Sequence, residues 1–304
     1  LAEIRHPLSE EKINISLDKE KAINEISQIL KEISSSYEYL SDETKAFSVW
    51  RNLLEDILER IQYKELKKYI PILPADTRVP DHSIWEHLKV TTAINAGENY
   101  QNNSLFLFTI GPVQSFISQS RKAQDFYMGS FMLSYLTFIA MEKVIEEYGP
   151  ISIIYPDLYK QPLMNWYLTK EKKLKIKNFD IENIVLPTIP NRFVGIIGAT
   201  DQQKIRELAK NIENEIRKEI NTAKEEILKK LNINLSEQQK RDLENQLSDF
   251  PQIYWVAIPW GREDRDLQIK DVQEFFTKNN FQDFFTKEIL EKWTHLYTFA
   301  KNWG

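Results

Sequence analysis

The 304-residue sequence contains no cysteine. Disulfides, thiolate zinc sites and a thiol nucleophile are thereby excluded, and the redox compartment stays open. Glycine is scarce, at 8 residues, while aromatic residues reach 12%. That pairing fits a helix-rich, well-packed fold rather than a loop-rich one. No apolar run approaches the roughly 20 residues that cross a bilayer, and Glu3, Arg5 and His6 interrupt any apolar core at the start, so no signal peptide is expected. A dominant charge is missing too. The net charge of −5 gives no global pull toward nucleic acid, so any such contact needs a local patch. Position 1 is Leu rather than Met, and the chain is expected to begin inside a longer product. What remains, 42% hydrophobic and 28% charged, is globular material for one large or two ordinary domains.

Residues 1–100 read as a helical region. Leu1 to Ile15, with HPLS at His6 to Ser9, reads as irregular, because the residue before a proline avoids the helical region. Asp18 to Leu40 is an amphipathic helix by the steps of three and four through Ile23, Ile26, Leu30, Ile33 and Tyr37. Ser41 is placed to cap a second helix with Phe47, Trp50, Leu54, Ile57, Leu58 and Ile61 on one face. A third, around Lys64 to Tyr69, stops before Pro71. Leu73 to Pro80 is a proline-bounded connector, and Asp81 to Asn95 a helix with Ile84, Trp85, Leu88 and Ala93 inward.

From Ser104 the pattern alternates between strand and helix. Leu105 to Ile110 is a short buried strand ended by Gly111-Pro112. A helical stretch follows, expected to break near Asp125 to Gly129 and then to present Phe131, Tyr135, Leu136, Ile139 and Val144 on one face. Ile151 to Tyr155, Arg192 to Ile197 and Ile253 to Ile258 are further strands. Gln202 to Leu231 is a long amphipathic helix with Asp201 near its start and Ile205, Leu208, Ile212, Ile216, Ala223 and Ile227 at helical spacing. The order β-α-β-β-α-β is the split, ferredoxin-like arrangement, making the chain α+β, with residues 101–262 as the sheet domain. Residues 263–304 form a further helical, aromatic segment after the charged turn WGREDRD. Asp157 to Asn191 is too long for a hairpin and carries a basic run, Lys170 to Lys177, read either as a solvated extension or as a contact with RNA backbone or a neighbouring subunit.

Four stretches carry a resemblance. HPLS, LPADTRVPDHSIWEHLKVTTAI (Leu73 to Ile94), TIGPVQSFISQSRKAQDFYMGSFMLSYL and PNRFVGII (Pro190 to Ile197) occur in an order and spacing that resembles the large subunit of type III CRISPR effector complexes, in the Cmr or III-B branch. The match lies around its first palm, or cyclase-like, domain and covers roughly Leu73 to Ile197. The resemblance implies a first palm that is catalytically silent. It pairs with a second palm bearing GGDD, and the two bind ATP between them and make cyclic oligoadenylates. Partners would be the other complex subunits and, through them, guide and target RNA, in the cytoplasm.

The residues bear on that expectation. Palm nucleotidyl transfer needs at least two carboxylates to hold divalent metals. Thr109 stands at the first-strand position, and the turn YPDLYKQP offers Asp157 alone. Magnesium or manganese would then act only through the partner palm, and the chain alone would be inactive. Its contribution would be a nucleotide pocket: Ser130 first, where Gly129 permits close approach, with Gln114, Ser115 and Ser118 at the helix start, Ser134 beyond, and Arg121 and Lys122 to neutralise phosphate. For Ser130 and Ser134 the competing reading is small-residue packing, and for Arg121, Lys122 and Asp125 a local ion-pair set.

In the resembled family an HD nuclease domain precedes the palm, and residues 1–100 here read as an HD-like remnant or a linker domain. The four histidines here, His6, His82, His87 and His295, include no His-Asp dipeptide, and His82 and His87 read as hydrogen-bonded, partly buried residues. Two other functions stay open: a purely structural palm that docks subunits and RNA, and a metal-dependent single-strand DNA nuclease in the helical region.

Overall fold

Local capping signals set the helical elements. The computed structural model describes residues 2–5, 12–15, 17–75, 82–95, 102–177, 179 and 184–259. Leu1–Trp260 form one compact unit and Gly261–Gly304 another. The HPLS segment, the WGREDRD turn and the aromatic segment 263–304 lie outside the described residues.

The start of the chain is not irregular. Strands β1 (Ala2–Arg5) and β2 (Lys12–Ile15) pair antiparallel, so the first region is not purely helical. Their four-residue alternation is short enough to escape a periodicity reading. Helix α1 (Lys19–Ser36) starts where the Asp18 carboxylate accepts the Lys21 N–H, and α2 (Asp42–Arg60) where the Ser41 hydroxyl accepts that of Thr44. Helices α3 (Lys64–Tyr69) and α4 (Ile84–Asn95) follow. Ile29, Ile33, Ile57, Ile61, Leu66 and Ile70 close a small core among α1, α2 and α3. On α4 only Ala93 is buried, and Leu88 is exposed, against the expectation.

Four strands make the main sheet: β3 (Ser104–Gly111), β4 (Ile153–Tyr155), β5 (Arg192–Ile197) and β6 (Gln252–Pro259). Their order is β4-β5-β3-β6, and each neighbouring pair is antiparallel. The architecture is α+β. Phe106, Phe108 and Ile110 alternate onto one face of β3 and are buried. The two long helices cover that face: α6 (Ala123–Tyr148), through Leu136, Ile139 and Val144, and α8 (Gln202–Lys230), through Ile205, Leu208, Ile212 and Ile216. By length and composition α6 would suffice to cross a bilayer, but its apolar side is spent on this core.

Two parts of the helical reading are corrected. The break expected near Asp125 to Gly129 lies earlier, at residues 118–122, between α5 (Val113–Ile117) and α6. The Asp125 carboxylate accepts the Arg121 N–H at 3.2 Å, which closes the turn and starts α6 there. Gly129 sits inside α6, and the backbone it exposes is approached by Phe116: a Cβ there would meet the Phe116 ring at 3.3 Å. Phe116 in turn stacks on Phe250 at 4.5 Å. On α8 the apolar spacing outruns the core, because Ala223 and Ile227 are exposed. Helices α7 (Pro162–Lys170), inside the long β4–β5 connection, and α9 (Glu237–Ser248), capped by Ser236 and Gln239, complete the unit.

Candidate functional site

The junction of α5 and α6 carries the candidate site. Pro112 caps α5, and residues 118–122 join it to α6. The junction leaves an open hollow of about 770 Å³, with Val113, Ile117 and Phe126 as apolar wall and Gln114, Ser118, Arg121 and Lys122 around it. Among the described residues, neither the Arg121 guanidinium nor the Lys122 ammonium has an ion-pair partner. The expected local ion-pair set is therefore not formed, since Asp125 engages the backbone of Arg121. Two unpaired cations over an apolar hollow can take a ligand with an anionic end and an apolar body.

The expected site residues divide. Gln114, Ser118, Arg121 and Lys122 line the hollow together, whereas Ser115, Ser130 and Ser134 do not. Ser118 donates its hydroxyl to the Ser115 carbonyl at 2.9 Å. Ser130 donates to the Phe126 carbonyl at 2.9 Å, one turn further along α6, and keeps its acceptor lone pairs. Ser134 is withdrawn from any ligand: it is buried, and its oxygen accepts the Ile189 N–H at 2.9 Å. Phe126, Val113 and Ile117 went unmarked in the sequence because an apolar residue at helix spacing reads first as core.

Thr109 and Asp157, the two positions weighed above for metal binding, make contacts within the chain. Thr109 donates its hydroxyl to the Asn191 carbonyl at 3.2 Å. Asp157 receives Lys89 of α4 at 2.7 Å and the Tyr159 N–H at 2.9 Å. His82 Nε2 and His87 Nδ1 lie 3.2 Å apart with their rings stacked, as hydrogen-bonded, partly buried residues. Among the described residues, no three His, Asp or Glu side chains are grouped to hold a metal ion.

Two lysines of the basic run, Lys172 and Lys177, turn toward α2, while Lys170, Lys173 and Lys175 are exposed. Lys172 pairs with Glu43 at 2.7 Å, and Lys177 with Asp56 at 2.7 Å and with Glu59. Beneath them lies the fully buried Arg51. It donates to Asn165 Oδ1 at 2.8 Å, to Glu55 at 3.2 Å and to the Lys177 carbonyl at 3.4 Å. Glu55 also accepts from Tyr159 at 2.7 Å and Lys160 at 2.9 Å. Burial pushes the Glu55 carboxyl up, but these hydrogen bonds and the Arg51 charge outweigh it and hold the group below its ordinary value. On α6, burial and the neighbouring Glu146 push Glu142 up to about 7.

Comparison with known proteins points one way. Residues 105–229 match the family described as CRISPR-associated protein Cmr2, N-terminal. The chain is 31% identical over 196 residues to the CRISPR system Cmr subunit Cmr2 of Pyrococcus furiosus, covering 59% of this chain and 21% of that protein. It is 35% identical over 117 residues to Cmr2 of Saccharolobus solfataricus, covering 36% and 11%. The chain thus spans about a fifth of the length of the first relative and about a tenth of the second. Two cryo-EM structures of the type III-B Cmr-beta complex contain a chain of similar fold. One, of the apo state, aligns at TM-score 0.65 and 18% identity over 93% of this chain and 32% of that one. The other, bound to cognate target RNA, aligns at 0.54 and 18% over 90% and 32%.

Proposed function

We propose that this chain, whose residues 105–229 match the family described as CRISPR-associated protein Cmr2, N-terminal, is the catalytically silent palm of the large subunit of a type III-B CRISPR complex. It binds ATP and supplies half of a composite site, completed by a GGDD-bearing palm, for cyclic oligoadenylate synthesis. The strand order β4-β5-β3-β6, read as second, third, first and fourth strand of the sheet, is that of the ferredoxin-like palm and supports this reading. So do the two candidate metal positions, Thr109 bonded to a carbonyl and Asp157 paired with Lys89, which leave divalent ions to the partner palm. The observation that carries ATP binding is the apolar hollow with the unpaired Arg121 and Lys122 beside it. Other Cmr subunits, guide RNA and target RNA are the partners in this proposal.

A scaffold reading has its own observation. The sheet face away from α6 and α8 is apolar and open: Leu107, Tyr254, Val256 and Ile258 are 37%, 58%, 46% and 53% exposed. A palm serving only to dock neighbours would need that face and no nucleotide. Calorimetric ATP titration of the assembled complex separates the two. Replacing Arg121 and Lys122 with Gln is expected to weaken ATP roughly tenfold or more, and Ser130→Ala by less. Unchanged ATP heats in all three variants would favour the scaffold.

A further inference from the structure

The hollow has an aromatic wall whose exposure is out of keeping with its chemistry. Phe126 is 56% exposed, and Met128 beside it 55%. Apolar side chains gain nothing from such a position in water. The intervening Tyr127 is tied down, since its hydroxyl donates to the Val185 carbonyl at 2.6 Å, so this turn of α6 is held in place. The Phe126 N–H is bonded to the carbonyl of Lys122, the N-cap of α6, at 3.1 Å, and both residues line the hollow. The end of α6 offers an anion little by itself, because Asp125 places a carboxylate in the first turn. Attraction for an anion there comes from the Arg121 and Lys122 side chains.

A ligand suited to both features has a flat apolar part and an anionic part. Resting on the nucleotide-binding reading above, we infer that Phe126 stacks on the base of the bound nucleotide while Arg121 and Lys122 hold its phosphates. The ring face supplies sequence-tolerant stacking, and the cations supply charge pairing that Asp125 does not consume.

The test uses the assembled complex and the triphosphate of 2-aminopurine riboside, whose fluorescence is quenched when its base stacks. Phe126→Leu keeps apolar bulk and removes the ring at an exposed position, so folding is unaffected. It is expected to weaken binding roughly tenfold and to abolish the quenching, while Phe126→Tyr retains both. Inorganic tripolyphosphate, which has no base, is expected to bind the wild type and Phe126→Leu equally and to be lost in Arg121→Gln. If Phe126→Leu binds and quenches like the wild type, the inference falls while the nucleotide reading stands. If the wild type binds no nucleotide, that reading fails and takes the inference with it. Should Phe126 matter for a short single-stranded RNA and not for the mononucleotide, the surface belongs to RNA and the inference is overturned.

Discussion

Glu142 shows how one residue ties this fold to pH. Its carboxyl is partly buried on α6 beside Glu146, and it holds its proton up to about 7. In the unfolded chain it ionises near its ordinary value of 4.5. Between those values the native state binds more protons than the unfolded one, so stability falls as pH rises through that window and stays low above it. Glu142→Gln removes the penalty. The variant is expected to match the wild type near pH 4 and to exceed it at pH 8 by roughly 1–2 kcal/mol, discounted for partial exposure. Urea midpoints at the two pH values check this, and an equal shift at both would rule out a titration origin. The residues that line the hollow were legible at this scale only in part. Arg121, Lys122, Gln114 and Ser118 announce themselves as polar groups at a helix start. Ser134, polar in sequence, is spent on the Ile189 amide, and no spacing rule separates it from Ser130.

At the scale of elements, the strands and long helices follow from periodicity, and their observed bounds fall close to those read from the sequence. Where the reading failed, a tertiary contact had overruled a local signal. Gly129 looks like a helix breaker or a ligand contact, but it accommodates the Phe116 ring inside a continuous α6. Helix α8 keeps its apolar spacing past Ile216, the last of its buried residues, so periodicity marks Ile227 as inward although it is 55% exposed. The two halves of α8 should therefore respond differently to truncation. Ile216→Ala, in the core, is expected to cost about 2–5 kcal/mol, and Ile227→Ala less than about 0.5 kcal/mol, read from thermal or urea unfolding. Equal losses at both would mean that the distal half is packed.

For the unit as a whole, α2 decides how helical layer and sheet are joined. Phe47 enters the main core, Ile57 and Ile61 the small one, and the side chains between them meet the long β4–β5 connection through Arg51. The sequence hides this, because Arg51, Asn52, Glu55 and Asp56 look like the solvated side of an amphipathic helix. Their partners lie more than a hundred residues away, as with Arg51 and Asn165, beyond the reach of any local pattern. Removing one member of a buried charge network is costly, since the others are left uncompensated. Arg51→Ala is expected to destabilise the unit by about 3–5 kcal/mol. Lys172→Ala, at a pair whose acid is exposed, should cost less than about 1 kcal/mol. Comparable midpoints for Arg51→Ala and wild type would show that the buried guanidinium is dispensable.

The pairing of Lys177 with α2 also constrains how sequences of this kind can be recombined. A chimera joined between 95 and 102, which looks like a natural seam, would inherit Asp56 and Glu59 from one parent and Lys177 from the other. Unless the parents agree at those positions, the hybrid would bring mismatched charges face to face along α2, so the helices and the connection must be transplanted as one piece.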